Sequence, residues 1–253
     1  MNNFLSWKGS PTVAYYLRKN SLCKEPWHLK WKPVCASTET ELSRWLNEKP
    51  YLEGQSRAVL AARQVYGTGQ GRRIWCSPIG GVWLSAVIPI KPYQKSTGLF
   101  TFAVAVAIAK KLKERCIPVR IKWPNDLMVD NRKLAGLLPK IIFRGSKSRL
   151  ARVGVGLNVF NKVPKEGISL QELFGQSNMS TAFWSAEVLI ALSETISLLE
   201  SPDSLVQEVE KMLWSTTFAD PETSLLWDVD GIDSNGSLKV RRGNEYKTLS
   251  RWD

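Results

Sequence analysis

The spacing of apolar and polar residues divides the chain into short strands and a few long helices. Leu29 to Cys35 alternates closely enough for a strand. Ser37-Thr38-Glu39-Thr40-Glu41 then reads as a helix start, with acids in the first turn and Leu42, Trp45 and Leu46 on one face. Ala58 to Arg63 predicts a second strand and Gly67 to Gly71 a glycine-rich loop. From Gly81 to Ile90, Val82, Leu84, Ala86, Ile88 and Ile90 alternate with Trp83, Ser85 and Val87, as in a strand. Thr97 to Cys116 predicts a long helix, apolar first and basic last, which suits the helix dipole. Val119 to Lys122 is a short strand stopped by Pro124. Asp126 to Val129 and Lys133 to Phe143 flank a turn at 130–132 and read as a hairpin. Val153 to Phe160 is a further strand, and Thr181 to Leu199 and Asp203 to Trp214 are helices, the second opened by Ser201-Pro202. Ser10-Pro11 can open a short helix in the otherwise mixed first 30 residues.

From about Ala219 the pattern changes to short strands separated by turns at Asn235-Gly236 and Gly243-Asn244. The expected fold is therefore α/β (α+β): a mixed sheet with flanking helices in residues 1–215, plus a small β unit in 216–253. The length of 253 residues fits one large domain with such an appendage.

Composition narrows the chemistry. The longest apolar candidate, Leu99 to Ala109, falls short of the ~20 residues that span a bilayer, and the N-terminus lacks a signal-peptide pattern, so a cytoplasmic protein without a membrane partner is expected. Four cysteines at 23, 35, 76 and 116 form no metal knuckle or redox pair. The one histidine, His28, can build neither a zinc site nor a catalytic triad alone, and no protein metal site is expected. The net charge of +12 favours an anionic partner. Its basic residues are spread along the chain, which weakens a nucleic-acid reading and leaves a nucleotide or an acidic protein.

Three segments carry candidate chemistry. Val65 to Pro78 places three glycines within five residues, then Arg72, Arg73 and Trp75. Such a backbone can turn several N–H groups toward one anion. The segment lacks the closing G-K-[ST] of a Walker loop and suits an acyl phosphate or a nucleotide, or equally a flexible surface loop. Arg120 to Leu138 sets Asn125 and Asp126 at a bend after Pro124 and Lys133 after the next turn, with Ala135-Gly136 permitting close approach of a ligand. In Val153 to Val159, Gly154 and Gly156 interrupt an apolar strand before Asn158. Each alone also reads as a polar turn or a packing feature.

Their order and spacing together are more specific. S-T at 37–38, G-T-G-Q-G-R-R-I-W at 67–75, S-P-x-G-G-x-W-L-S at 77–85, K-W-P-N-D at 122–126, R-K-L-A-G at 132–136, G-V-G-L-N at 154–158 and G-I-D-x-x-G at 231–236 resemble the biotin–protein ligases. The resemblance implies that the C-terminal β unit is an SH3-like barrel. It implies an enzyme that uses ATP with Mg2+ to form biotinyl-5′-AMP, then passes biotin to a lysine of a biotin carboxyl carrier protein. By the same resemblance, Lys133, Lys122 and Arg73 are catalytic. Ser37, Thr38, Glu39, Gln64, Thr68, Gly69, Gln70, Trp75, Gly136, Gly154 and Gly156, with Lys133, would bind biotin. Arg72, Arg73, Trp75, Lys122, Asn125, Asp126 and Asn158 would bind the nucleotide.

The loop departs from the family's G-R-G-R-x-G-R-x-W: Thr68 and Gln70 stand for its early arginines and Arg72 for its third glycine. The displaced cation leads to the expectation that Arg72 takes over the charge missing at Gln70. Glu39 stands where asparagine usually follows serine-threonine. Only 36 residues precede Ser37, too few for the winged-helix DNA-binding domain of some members, so the monofunctional type is expected. Monomer and homodimer both stay open. The alternatives are a lipoate or octanoate ligase of the same superfamily, and a non-catalytic protein that binds a carrier or nucleic acid.

Overall fold

The computed structural model describes residues 13, 27–49, 55–91, 96–144, 147–175 and 180–250, the side chains at 72, 144 and 147–149 excepted. The helix start at Ser10-Pro11 and Cys23 lie outside them. Seven strands form one mixed sheet in the order β1-β2-β3-β7-β6-β5-β4. These are β1 His28–Cys35, β2 Arg57–Gln64, β3 Val82–Ile88, β4 Arg120–Lys122, β5 Asp126–Val129, β6 Arg132–Arg144 and β7 Lys147–Leu157. β1 and β2 are parallel, and every other pairing is antiparallel.

One face of the sheet carries the main core. Leu84, Ala86, Val153, Val155, Leu137 and Leu127 point into it and meet helix α2, Thr97–Lys113. Ser96 caps α2 by accepting from the Leu99 N–H at 3.0 Å. This helix is buried over nearly its whole circumference because α4 (Thr181–Leu198), which also packs on β3, and α5 (Pro202–Lys211) pack against it. The other face is half covered. Helix α1, Thr38–Glu48, capped by Ser37, sets Leu42 and Trp45 on Val59, Val87 and Leu150. Beyond α1, toward β6 and β5, that face is left to the loop after β2.

Two expectations change in detail. β3 was expected to alternate, yet all seven of its residues are buried, because it is central and covered on both faces. β7 begins at Lys147 rather than Val153. Arg152 breaks the apolar run, but it is an ion-pair partner within the fold. A five-residue helix, α3 Leu170–Phe174, is too short to show a period; Ser169 opens it and Gly175 closes it.

The second sheet is antiparallel, in the order β11-β10-β9-β8, from β8 Thr217–Ala219, β9 Leu226–Ile232, β10 Leu238–Arg242 and β11 Glu245–Leu249. Among the described residues it is an open sheet, consistent with the SH3-like unit. It shares the main core through Trp227, Ile232, Leu238 and Val240. Its 233–237 turn docks on the start of α2: Ser96 Oγ donates to Asn235 O at 2.5 Å, and Trp123 Nε1 donates to Gly236 O at 3.2 Å. No helix among the described residues is long and apolar enough to cross a membrane.

Gly236 has φ of +91°, and an added Cβ would meet Gly98 backbone atoms at 2.6 and 2.8 Å. Gly236→Ala is therefore expected to cost about 1–3 kcal/mol of stability. An unchanged urea midpoint would show that this turn does not hold the small sheet to α2.

Candidate active site

The half-covered face of the sheet is a floor assembled by register. Trp83 on β3 pairs with Gly156 on β7, Gly156 with Gly136 on β6, Gly136 with Asp126 on β5, and Asp126 with Lys122 on β4. Directly paired residues project to the same face. The row thus runs from a tryptophan across two glycines to an acid and a base.

The two glycines make room for Trp75. A Cβ on Gly156 would lie 2.5 Å from the Trp75 ring, and one on Gly136 would lie 2.8 Å from it. The indole also meets Trp83 edge to face at 6.5 Å, and its Nε1 is buried without a hydrogen-bond partner among the described residues. Trp75 reaches the floor because the loop after β2 is a small hairpin. Gln64 N donates to Ser77 O at 3.0 Å, Trp75 N to Gly67 O at 2.8 Å, and Gly69 N to Arg73 O at 2.7 Å. A 3-10 turn at Gln70–Arg72 closes it, with Gly71 at φ +64°.

Lys133 reaches the floor from the β6 side. Its Nζ lies 4.7 Å from the Trp75 ring centroid and 2.6 Å from Asp126 Oδ1. Its backbone is clamped by the segment before α3: Lys133 N donates to Glu166 O at 2.8 Å, and Ile168 N donates to Lys133 O at 3.0 Å. Asn158 Nδ2 donates to the same carbonyl at 3.2 Å. Asn125 is buried and bonds the Leu137 carbonyl through Nδ2.

A cavity of about 300 Å3 opens over this floor. Its far end, under the start of α1, is polar. Thr38 N and Oγ1 both donate to Gln64 Oε1, at 2.7 and 3.0 Å. Thr38 Oγ1 also lies 2.8 Å from Ser85 Oγ, and Gln64 Nε2 donates to Ser77 Oγ at 2.8 Å. The fixed orientation of the Gln64 amide follows from having an acceptor at one end and a donor pair at the other.

The structure brings most of the expected residues to this one cavity. Ser37, Thr38, Glu39, Gln64, Thr68, Gly69, Gln70, Arg73, Trp75, Asn125, Asp126, Lys133, Gly136, Gly154 and Asn158 all line it. Gly156 lies beneath Trp75 instead. Lys122 is not part of the lining: it stands one strand beyond Asp126, with Nζ 4.8 Å from the Trp214 ring centroid. The Arg72 side chain, and with it the expected compensation for Gln70, lies outside the described residues. Several lining residues were not anticipated, among them Ser85, Leu138, Asn161 and Glu166. Asn161 donates to Asn158 Oδ1 at 3.0 Å and accepts from Val159 N at 3.1 Å, so it orients Asn158. The Asn158-Val159-Phe160-Asn161 spacing, just past the end of a strand, was the available signal.

The match to known families now adds to this geometry. Residues 31–158, half of the chain, match the model of the biotin/lipoate A/B protein ligase family. The chain belongs to that family. The bifunctional ligase/repressor BirA of Bacillus subtilis is 32% identical over 142 residues, which is 55% of this chain and 42% of that protein. The biotin–[acetyl-CoA-carboxylase] ligase of Paracoccus denitrificans is 31% identical over 129 residues, 50% of this chain and 53% of the relative. These matches thus span about half or less of the relatives. In fold the likeness is broader. A biotin protein ligase of Aquifex aeolicus, solved with biotin and ATP, superposes with a TM-score of 0.71 at 22% identity, covering 89% of this chain and 97% of that one. The Leishmania major enzyme with biotinyl-5-AMP gives 0.58 at 21%, over 90% and 100%.

The packing of Trp75 on the glycines has a direct check. Gly156→Ala should lift the indole off the floor and loosen the hairpin, while the strand itself gains rather than loses propensity. Tryptic cleavage after Arg73 should accelerate several-fold with little change in Tm. Cleavage at the parent rate would mean that Trp75 is held by something other than this floor.

Proposed function

We propose that the chain is a biotin–protein ligase: it condenses biotin with ATP to biotinyl-5′-AMP and transfers the acyl group to a lysine of a biotin carboxyl carrier protein. The observation that carries this reading is one cavity with two unlike ends. At one end Lys133 stands beside Asp126, over a floor of missing β-carbons. At the other Thr38, Gln64, Ser77 and Ser85 form a closed polar network.

The polar end favours biotin over lipoate or octanoate. A cyclic urea offers both donors and an acceptor, whereas a dithiolane or an alkyl chain offers no comparable partner. A hydroxyl has two acceptor lone pairs besides its one donor, so the network, though closed, keeps the capacity to accept a ring N–H that a dithiolane or an alkyl chain does not offer. The family covers both classes of acid, so this chemistry, together with the relatives' names, is what supports the choice.

The other end suits the activation step. A carboxylate oxygen attacks the α-phosphorus, an O–P bond forms, and the bond from that phosphorus to the bridging oxygen breaks to release pyrophosphate. Two anions at ~4 Å repel by about 4 kcal/mol at an effective dielectric of 20. The Lys133 ammonium is the side-chain cation placed to offset that repulsion and the charge that builds up in the transition state. Asp126 holds the ammonium in position until the anions arrive. Asn125 and Asn158 shape the wall beside it, and Arg73 on the hairpin supplies a second cation above the cavity. Lys122, one strand further out, is assigned to the outer phosphates. In the second step the carrier lysine attacks the acyl carbon, the amide forms, and AMP leaves.

Mg2+ fits this site as the companion of the triphosphate. No three His, Cys, Asp or Glu among the described residues converge into a metal cage, and Asp126 is the carboxylate best placed to face the ion. It would supply charge neutralisation on the phosphate oxygens. The division into a catalytic unit, 1–215, and a β unit, 216–253, belongs to the same proposal. So does a cytoplasmic location, where ATP is available.

Incubation with ATP and biotin, lipoate or octanoate, followed by mass spectrometry, tests the reading. Biotinyl-AMP should form, and Lys133→Ala should lower its rate by about 10²- to 10³-fold with the fold intact. Lys133→Arg should also be slow, since a planar fork does not reproduce a point charge. A folded Lys133→Ala protein with near-parent adenylation would remove Lys133 from the chemistry, and an octanoyl or lipoyl adenylate in place of the biotinyl one would change the substrate.

A further inference from the structure

The polar end of the cavity contains a group that the network above does not use. Glu39, in the first turn of α1, is half-buried and lines the cavity. One oxygen, Oε2, accepts from Arg152 Nη2 at 2.8 Å. The other, Oε1, is buried and has no hydrogen-bond partner among the described residues. A carboxylate oxygen in that state is costly unless something donates to it.

Arg152 fixes which oxygen is left over. Its Nη2 also donates to Glu39 O at 3.2 Å and to Ser43 Oγ at 2.9 Å, while Ser43 Oγ donates to Glu39 O at 2.9 Å. Side chain and backbone of Glu39 are thus gripped from one direction. Arg152 precedes Gly154 by two on β7, so the two residues share the cavity face. The point where a Gly154 Cβ would stand is 3.7 Å from Glu39 Oε1 and 3.8 Å from Ser85 Oγ. Glu39 Oε1 therefore borders space that the glycine leaves open, next to the Thr38–Ser85 pair.

We propose that Glu39, oriented by Arg152, is a specificity residue that accepts a ring N–H of the acid through Oε1, and so selects acids whose ring carries an N–H donor. The inference rests on the biotin reading and sharpens it. Thr38, Gln64 and Ser85 largely satisfy one another, whereas Glu39 Oε1 has nothing until a donor arrives. A cyclic urea provides such a donor. A dithiolane or an alkyl chain would leave the oxygen stranded and is penalised for that reason. The pair acts as one device: Arg152 donates on the sheet side and Glu39 accepts on the ligand side, so the carboxylate does not rotate away when the cavity fills.

The experiment is calorimetric binding of biotin, of biotin methylated at a ring nitrogen, and of lipoate, to the parent and to Glu39→Gln. The glutamine preserves size, but its oxygen is drawn to Arg152, leaving an NH2 toward the cavity where the acceptor was. The parent should prefer biotin to the methylated analogue. Glu39→Gln should bind biotin about tenfold to a hundredfold more weakly and lose that preference, with lipoate affinity no lower than in the parent. If Glu39→Gln fails to fold, Glu39→Asp carries the same comparison, because it withdraws the acceptor by one methylene and keeps the charge. Unchanged biotin affinity in a folded variant overturns the proposal. An equal loss for biotin and its methylated analogue also overturns it, since it would give Glu39 a purely structural role. A parent that binds no biotin at all would instead reject the biotin reading, and the order of measurement separates the two failures.

Discussion

The absence of two β-carbons, at Gly136 and Gly156, is the constraint on which the rest of the site depends. The two residues are directly paired on β6 and β7, between Trp83 on one side and Asp126 on the other. Any larger residue there would collide with the Trp75 indole. Because the floor is bare, the Trp75 ring can lie against the sheet and the Lys133 side chain can run beside it. The helices on the opposite face make this arrangement tolerable. α2 and α4 bury the inward residues of the same strands and α1 covers the β2–β3 end of the functional face, so the glycine row itself can stay without side chains.

Charge is arranged around that floor in two separate pairs. Lys133 with Asp126 stands at one end and Arg152 with Glu39 at the other. Each pair holds one member in place and turns the other to the cavity: an ammonium where anions would meet, and a carboxylate oxygen where a neutral ring would end. Partly buried pairs of this kind contribute little net stability, and their value lies in fixing orientation. The chain's excess of basic residues is consistent with an anionic co-substrate, and the geometry locates where its charge would be used.

Much of this architecture was legible in the sequence because it is written in local signals. Ser37 followed by acids announced α1, Pro124 stopped β4, and the polar 130–132 turn set the β5–β6 hairpin. What was not legible depends on contacts between distant segments. Arg152 reads locally as a solvent-facing break in an apolar stretch, yet it is paired on both sides in the sheet and its side chain meets Glu39, 113 residues earlier. β3 looked half-exposed because its second face is covered by α1, more than thirty residues earlier, and by Trp75 at the end of a loop that folds back on the strand. Lys122 and Lys133 lie in adjoining motifs, yet one stands over Trp214 and the other over Trp75. Motif spacing recorded both lysines without separating their surroundings. The small sheet, which the turn pattern marked as an appendage, contributes Trp227 and Ile232 to the common core.

The central claim is that the Lys133 end of the cavity joins a carboxylate oxygen to the α-phosphorus of ATP. Biotin carrying oxygen-18 in both carboxylate oxygens tests this directly, with hydroxylamine added to intercept the acyl adenylate. Hydroxylamine attacks the acyl carbon, so the oxygen that bonded to phosphorus departs with AMP. AMP should carry one labelled oxygen, biotin hydroxamate should retain the other, and pyrophosphate should be unlabelled. Unlabelled AMP, or label in the pyrophosphate, would contradict the claim.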